Sequence, residues 1–561
     1  MTMPDISPEK QKAYEARLQR RLKILKNKFE ASQVHIAEGL EVIESLKRVR
    51  YTADGSVDLS TVDGLVRSMA LAVEAMHDRE EMKKSASLAE IQTAYYQFLE
   101  QNFGKFFNAM VERKLTPHDV GMSLSRIPSA VEELIRNLPG FLQVVDEFWA
   151  SAGPIAIAHV EDQRDSLKGV FGGDLFPSPY ENIASKCSLY TDTLVLPDPF
   201  LRSKQLFEQF SDEKKVYYMV KHALNLLQYR DLACAEISPP IVVILPDMSV
   251  LDEAENAFFY NLAEVDAVLH GTKIFGRQFG SFNEMLEFCG ELDTIERVTA
   301  KVVDRERVLF DTEWEGPLET QFLRAKEDPT FAGMLKTKNP GLIVALQAMG
   351  RMSAANELLV KARRLQGVPI MDAPTSWQYL VWKMEYDAVQ AAQAKNLKDL
   401  HTIRGLQNLS ENKMRWLGRI PPDALIEIRK DGALSEIREI LTSGIEELAM
   451  TDSKGFQLTS SHIFDNIQSA FEAHQKKIDI LVAKRWKFAG SDIGSWLVVG
   501  SLFVVAAATQ SVVWALASYS ADQILAPPKL RTIPKTLRKL AEEDGQLKRS
   551  PVGMLFNISK G

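Results

Sequence analysis

Two short runs decide the fold: LYTDTLVLPDP (residues 189–199) and PPIVVILPD (residues 239–247). Both are rich in β-branched and apolar residues, and both close on Leu-Pro-Asp. Runs of this length between turn formers read as buried strands. Proline cannot donate to a strand ladder, so each strand is expected to end there, and the aspartate then suits the start of a helix. A helical pattern does follow each run. Strands separated by helices predict a small α/β domain. A third β-rich region, VTAKVVDRERVLFDTEW (298–314), is expected to form a hairpin turning near Asp304-Arg305. The domain is placed at 181–330, after FGGDLFPSPY (171–180), which crowds two glycines and two prolines into ten residues.

On both sides of this domain the chain reads as helical. Ser7-Pro8 suits a helix start. Tyr14, Leu18, Leu22, Leu25, Phe29, Ile36, Leu40 and Ile43 then recur at helical spacing, which predicts one long helix closed by YTADGS (51–56). Ser60, Ser87-x-x-Glu90, Thr116-Pro117 and Ser129-x-x-Glu132 announce further helices, so 1–170 is expected to be a helical bundle. Beyond Asp328-Pro329, helix starts are expected at Asn339-Pro340, Ser353 and Thr375. Another is expected at Pro421-Pro422-Asp423, with a break at Gly432 and a stop near Gly444. A second helical domain is therefore placed at 331–480. The fold class is mainly α with a smaller central α/β domain, followed by an apolar helix or hairpin (481–525) and a basic tail (526–561).

Composition narrows the function. The 561 residues are 45% hydrophobic and 25% charged, with a net charge of −8, which disfavours a general nucleic-acid binder. Lys10, Lys12, Arg17, Arg20, Arg21, Lys23, Lys26 and Lys28 make the first helix basic, which fits a phosphate-rich surface or an acidic neighbouring helix. Three scattered cysteines suit a reducing compartment. The amino terminus has no apolar core of a secretory signal, so a cytoplasmic body is expected.

No specific catalytic signature is present, and an enzyme is the less favoured reading. The nine histidines show no zinc spacing. Phosphate-binding glycine loops and the Gly-x-Ser-x-Gly elbow are lacking too, so no cofactor is expected. The best candidates for a site are Asp198 and Asp247, which close the two strands where α/β sheets gather ligands. Two carboxylates there suit a hard metal such as magnesium. Each also suits the cap of the following helix.

The strongest functional signal is the run Ile493–Ala521, twenty-nine residues without an ionisable acid or base. About 20 apolar residues span a bilayer core. Trp496 and Trp514, 18 positions apart, would stand about 27 Å from each other along a helix, one at each interface. Leu497, Val504, Val505 and Val513 would lie in the lipid between or beneath them. Lys484, Arg485 and Lys487 precede the run and suit anionic headgroups. Its glycines, serines, Thr509 and Gln510 equally suit a buried hairpin, with Ala508–Ser511 at the tip.

An apolar run with basic flanks after a long folded body resembles, in layout, bacterial toxin-like and anti-phage defence effectors. The run WLGRIPPDALIEIRKDGALSEIREIL (416–441) resembles a helix-pair module of bacterial proteins. The helix-pair resemblance adds no chemistry; the resemblance in layout, carried by Ile493–Ala521 and its basic flanks, implies a pore-forming or membrane-disrupting component with a cytosolic sensing body. It also implies membrane lipid and a protein as partners, self-assembly into a homo-oligomer, and association with the inner or an internal membrane. Two alternatives stay open: a metal-dependent hydrolase or nuclease-like enzyme using Asp198 and Asp247, and a soluble interaction scaffold.

Overall fold

The structure is a computed structural model. It describes residues 8–489 except 35–39, 54–55, 173–183, 185–186, 209, 248–252, 313, 329–330, 332–334, 388–393, 413–416, 418–419 and 448–455, together with 546, 550–552 and 554. The chain is mostly helical with one small parallel sheet. It divides into two compact units, residues 1–91 with 151–162, and residues 92–150 with 163–561.

In the first unit the helix Pro8–Glu30 packs on the helix Gly64–Ser85. Leu18, Leu22 and Leu25 of the expected stripe are buried against Val66, Ala70 and Val73. The stripe does not continue on one helix. Gln33 N–H bonds back to Lys28 O, Ser32 adopts a left-handed φ of 54°, and a separate helix spans Leu40–Lys47. The basic face meets an acidic neighbour: Arg20 and Arg21 pair with Glu74, Arg20 also with Asp78, and Lys28 with Glu80.

The second unit is built on four strands, β1 (Lys168–Phe171), β2 (Thr193–Pro197), β3 (Val242–Leu245) and β4 (Gly367–Ile370). All run parallel, in the order β3-β2-β1-β4. The two strands expected from their Leu-Pro-Asp endings are adjacent, with Pro197 opposite Leu245. The sheet reaches beyond 181–330 at both ends, since β1 precedes that range and β4 follows it. Pro369 is tolerated in β4 because β4 is an edge strand. The other edge is covered by a side chain. Gln92 donates to Ile244 O (3.0 Å) and accepts from Ile244 N–H (2.8 Å), so its amide mimics a further strand.

The expected hairpin at 298–314 is not formed. Thr294 caps a helix over Ile295–Lys301, and Asp304 caps a short 3-10 turn at Arg305–Arg307. Val298 is buried in a helical cluster with Phe322 and Ile343, so tertiary packing overrides its strand preference. That cluster joins the helices Glu253–Phe275, Phe282–Gly290 and Pro340–Arg364. Asn339 caps the last of these as expected, through the N–H groups of Gly341 and Leu342. Ser353 starts no helix; it lies inside Pro340–Arg364.

The later helices follow their sequence signals more closely. Pro422–Lys430 and Leu434–Thr442 flank Gly432 at φ 68°, and Gly444 has φ 75°. This pair docks on the amino-terminal side of the sheet. Arg429 donates to Asp192 O (2.5 Å) and Pro239 O (3.2 Å), and Arg438 donates to Tyr190 O. The helix Phe456–Ala489 packs against Ala394–Asn412 through buried Ile463 and Ile467, with Gly405 making room beneath Ile463.

Candidate functional site

With β4 lying beyond β1, the strand order reverses between β1 and β4. Open α/β sheets bind ligands outside the carboxyl ends of their strands near such a reversal. Asp198 and Asp247 both lie at these ends, on neighbouring strands. The structure nevertheless draws their carboxylates into separate networks.

Asp198 is fully buried and caps the helix Pro199–Phe207. Its Oδ1 accepts from the N–H groups of Phe200 (2.8 Å) and Leu201 (2.9 Å). Its Oδ2 accepts from Trp149 Nε1 (2.7 Å) and from the Tyr95 hydroxyl. A carboxylate has about four acceptor sites, and four protein donors occupy them. Burial pushes this carboxyl above its usual range, against the pull of those donors. Burial and the neighbouring carboxylate likewise hold Tyr95 well above the usual phenol range.

Asp247 is also buried, but its partners are cations. Lys361 donates to Oδ1 at 2.7 Å. Arg202 Nε forms an ion pair with Oδ2 at 2.5 Å. Arg202 also stands 4.0 Å from Glu357, one turn before Lys361 on the same helix. Burial alone would raise the Asp247 carboxyl; Arg202 and Lys361 outweigh it and hold the carboxyl below its usual range. A metal ion at this edge would have to displace two cations from Asp247 and four donors from Asp198. Among the described residues no group of three or more His, Cys, Asp or Glu side chains is arranged to hold a metal.

Sequence reasoning missed two buried polar clusters because their members are far apart in the chain. In one, Asp266 meets Lys383 (3.0 Å) and Asn356 (2.5 Å), and Lys383 also pairs with Asp387 (2.7 Å). One turn beyond Asp266, His270 contacts Tyr386 Oη through Nδ1 (2.7 Å) and Arg307 O through Nε2 (3.1 Å). Burial lowers His270 to about 4, so the ring is neutral at physiological pH. A carbonyl can only accept, so Nε2 carries the proton and Nδ1 accepts from Tyr386. In the other cluster, Ser203 Oγ lies 3.1 Å from His222 Nε2, the separation of a nucleophile and its base. Both are fully buried, and burial and Lys221 hold His222 well below the usual imidazole range. The cavity beside His222, about 20 Å³, admits no more than a water molecule.

A groove of about 860 Å³ is lined by Met122, Arg126, Glu132, Ile135, Asp212 and Glu213. Its charged side chains are exposed. His118 and His159, the histidines singled out in the sequence, bond Tyr217 Oη (2.8 Å) and Ala86 O (2.9 Å) respectively.

The membrane-directed residues fall largely elsewhere. Trp496, Leu497, Val504, Val505, Val513 and Trp514 lie outside the described residues. Lys484, Arg485 and Lys487 lie on the backbone of Phe456–Ala489, and their side chains are outside the description. No helix among the described residues is long and apolar enough to cross a membrane. The chain matches no known protein family, no curated protein and no solved structure.

Proposed function

We propose that this chain is a membrane-acting effector of the pore-forming or membrane-disrupting kind, and that its mainly helical body binds a protein partner. The observation that carries the reading is the uncharged run Ile493–Ala521, flanked by basic residues on both sides. A span of that length can cross a bilayer core. The folded body supports the reading indirectly. Helix Phe456–Ala489 leads toward the run and is anchored through Ile463 and Ile467, so force or movement in the body has a direct covalent path to it. The metal-enzyme alternative is the weaker reading, because Asp198 and Asp247 are engaged by protein donors and cations.

Flotation of the full chain with vesicles of anionic phospholipid tests the proposal. Association is expected, weakened when neutral vesicles replace anionic ones. A chain that stays at the bottom of the gradient with both vesicle types refutes it.

A further inference from the structure

The helix Glu253–Phe275 buries one face in the core through Ala263, Ala267, Ile274 and Phe275. Its opposite face carries Phe258, Leu262, Val265 and Leu269, spaced four, three and four residues apart as in a coiled-coil seam. Phe258 is 48%, Val265 60% and Leu269 44% exposed, and Leu262 is half-buried. The same stripe continues seven residues past Leu269 at Gly276. There Val303, 73% exposed, sits where a larger residue would carry its side chain, with its Cγ2 3.1 Å from that position. From Phe258 to Gly276 the apolar seam is about 27 Å long.

We propose that this seam is a dimer interface, occupied by the same helix of a second copy running antiparallel. Two-fold pairing needs a self-complementary surface, and this one is. Phe258 then faces Leu269 of the second copy, while Leu262 faces Val265 of the second copy. The same register sets the exposed Lys273 of one copy about 28 Å from Lys273 of the other. In a parallel arrangement Lys273 would meet Lys273. Antiparallel packing also opposes the two helix dipoles favourably. With Val303 at each end, the buried area is on the order of 1,000 Å² over both copies, the lower limit for a specific interface. This inference does not depend on membrane action.

The full chain at tens of micromolar should sediment at twice the mass of one copy. Val265→Glu should raise the dissociation constant about 30-fold or more, the effect of losing a central interface side chain, without altering the monomer's circular dichroism. In a Cys234→Ser background, Phe258→Cys combined with Leu269→Cys should cross-link on mild oxidation. Either cysteine alone should not, because its own equivalents stand about 16 Å apart and a disulfide spans at most about 7 Å between Cα atoms. A monomer at these concentrations, a dimer indifferent to Val265→Glu, or single variants that cross-link as well as the pair would each overturn the proposal. A chain that dimerises only after removal of 493–521 would also overturn it, by assigning the seam to that segment.

Discussion

Acidification should destabilise the second unit through His270, and its size can be worked from the structure. Burial holds this imidazole at about 4, below the ordinary 6.5. A depressed folded-state value means the stabilisation is complete above about pH 6.5 and is lost as pH falls toward 4. With 1.36 kcal/mol per unit, the loss attributable to His270 is about 1.4 kcal/mol at pH 5.5 and about 3 kcal/mol at pH 4. That is a large share of the roughly 5–15 kcal/mol that stabilises a typical domain. The assay is urea unfolding at pH 7, 5.5 and 4 for the native chain and His270→Gln. Glutamine cannot take the proton, so the variant starts less stable at pH 7 but falls less steeply, by about 3 kcal/mol over the range. His222, which shifts in the same direction, is present in both proteins and cancels in the difference. Parallel pH curves for the two proteins would refute the assignment.

Two further perturbations follow from packing. Leu22→Asp places a carboxylate in the first unit's core, where Leu22 is 4% exposed, and should cost several kcal/mol; limited proteolysis should then cut between residues 8 and 60, and unchanged resistance would contradict the burial. Gly341→Ala should lower the melting temperature markedly, since its Cβ would stand 2.0 Å from the Cys289 carbonyl oxygen. Overpacking of this kind costs about 1–3 kcal/mol or more, and an unaltered thermal melt would show that the two helices do not approach so closely.

Local signals were most readable where side chains or glycine dictate the backbone. Asn339, Ser87 with Glu90, Thr116 before Pro117, Gly432 and Gly444 all stand at the helix boundaries they predict. The β2 and β3 strands were legible because proline ends each one before an aspartate. β1 and β4 were not, because four residues are too few to show a period and Pro369 argues against a strand until its edge position is known. The misread hairpin at 298–314 shows the reverse error: Val298, Val302 and Val303 prefer strands, yet Thr294 starts a helix and burial of Val298 holds it. At the candidate site the sequence placed Asp198 and Asp247 at strand ends, but it could not show that the two strands are adjacent or which partners the carboxylates take. Tyr95 and Trp149 lie 103 and 49 residues from Asp198, and Lys361 lies 114 from Asp247. The clusters around Asp266 and His270 were invisible for the same reason.

The central claim is that Ile493–Ala521 enters lipid, and dye release from anionic liposomes by the full chain and by Val505→Arg tests it most directly. An arginine near the middle of a membrane span costs about 3 kcal/mol on insertion scales. The account predicts that the native chain releases dye and that Val505→Arg, with an unchanged thermal melt, does not. Equal release by a folded Val505→Arg chain, or no release by the native chain that floats with the same vesicles, would contradict it.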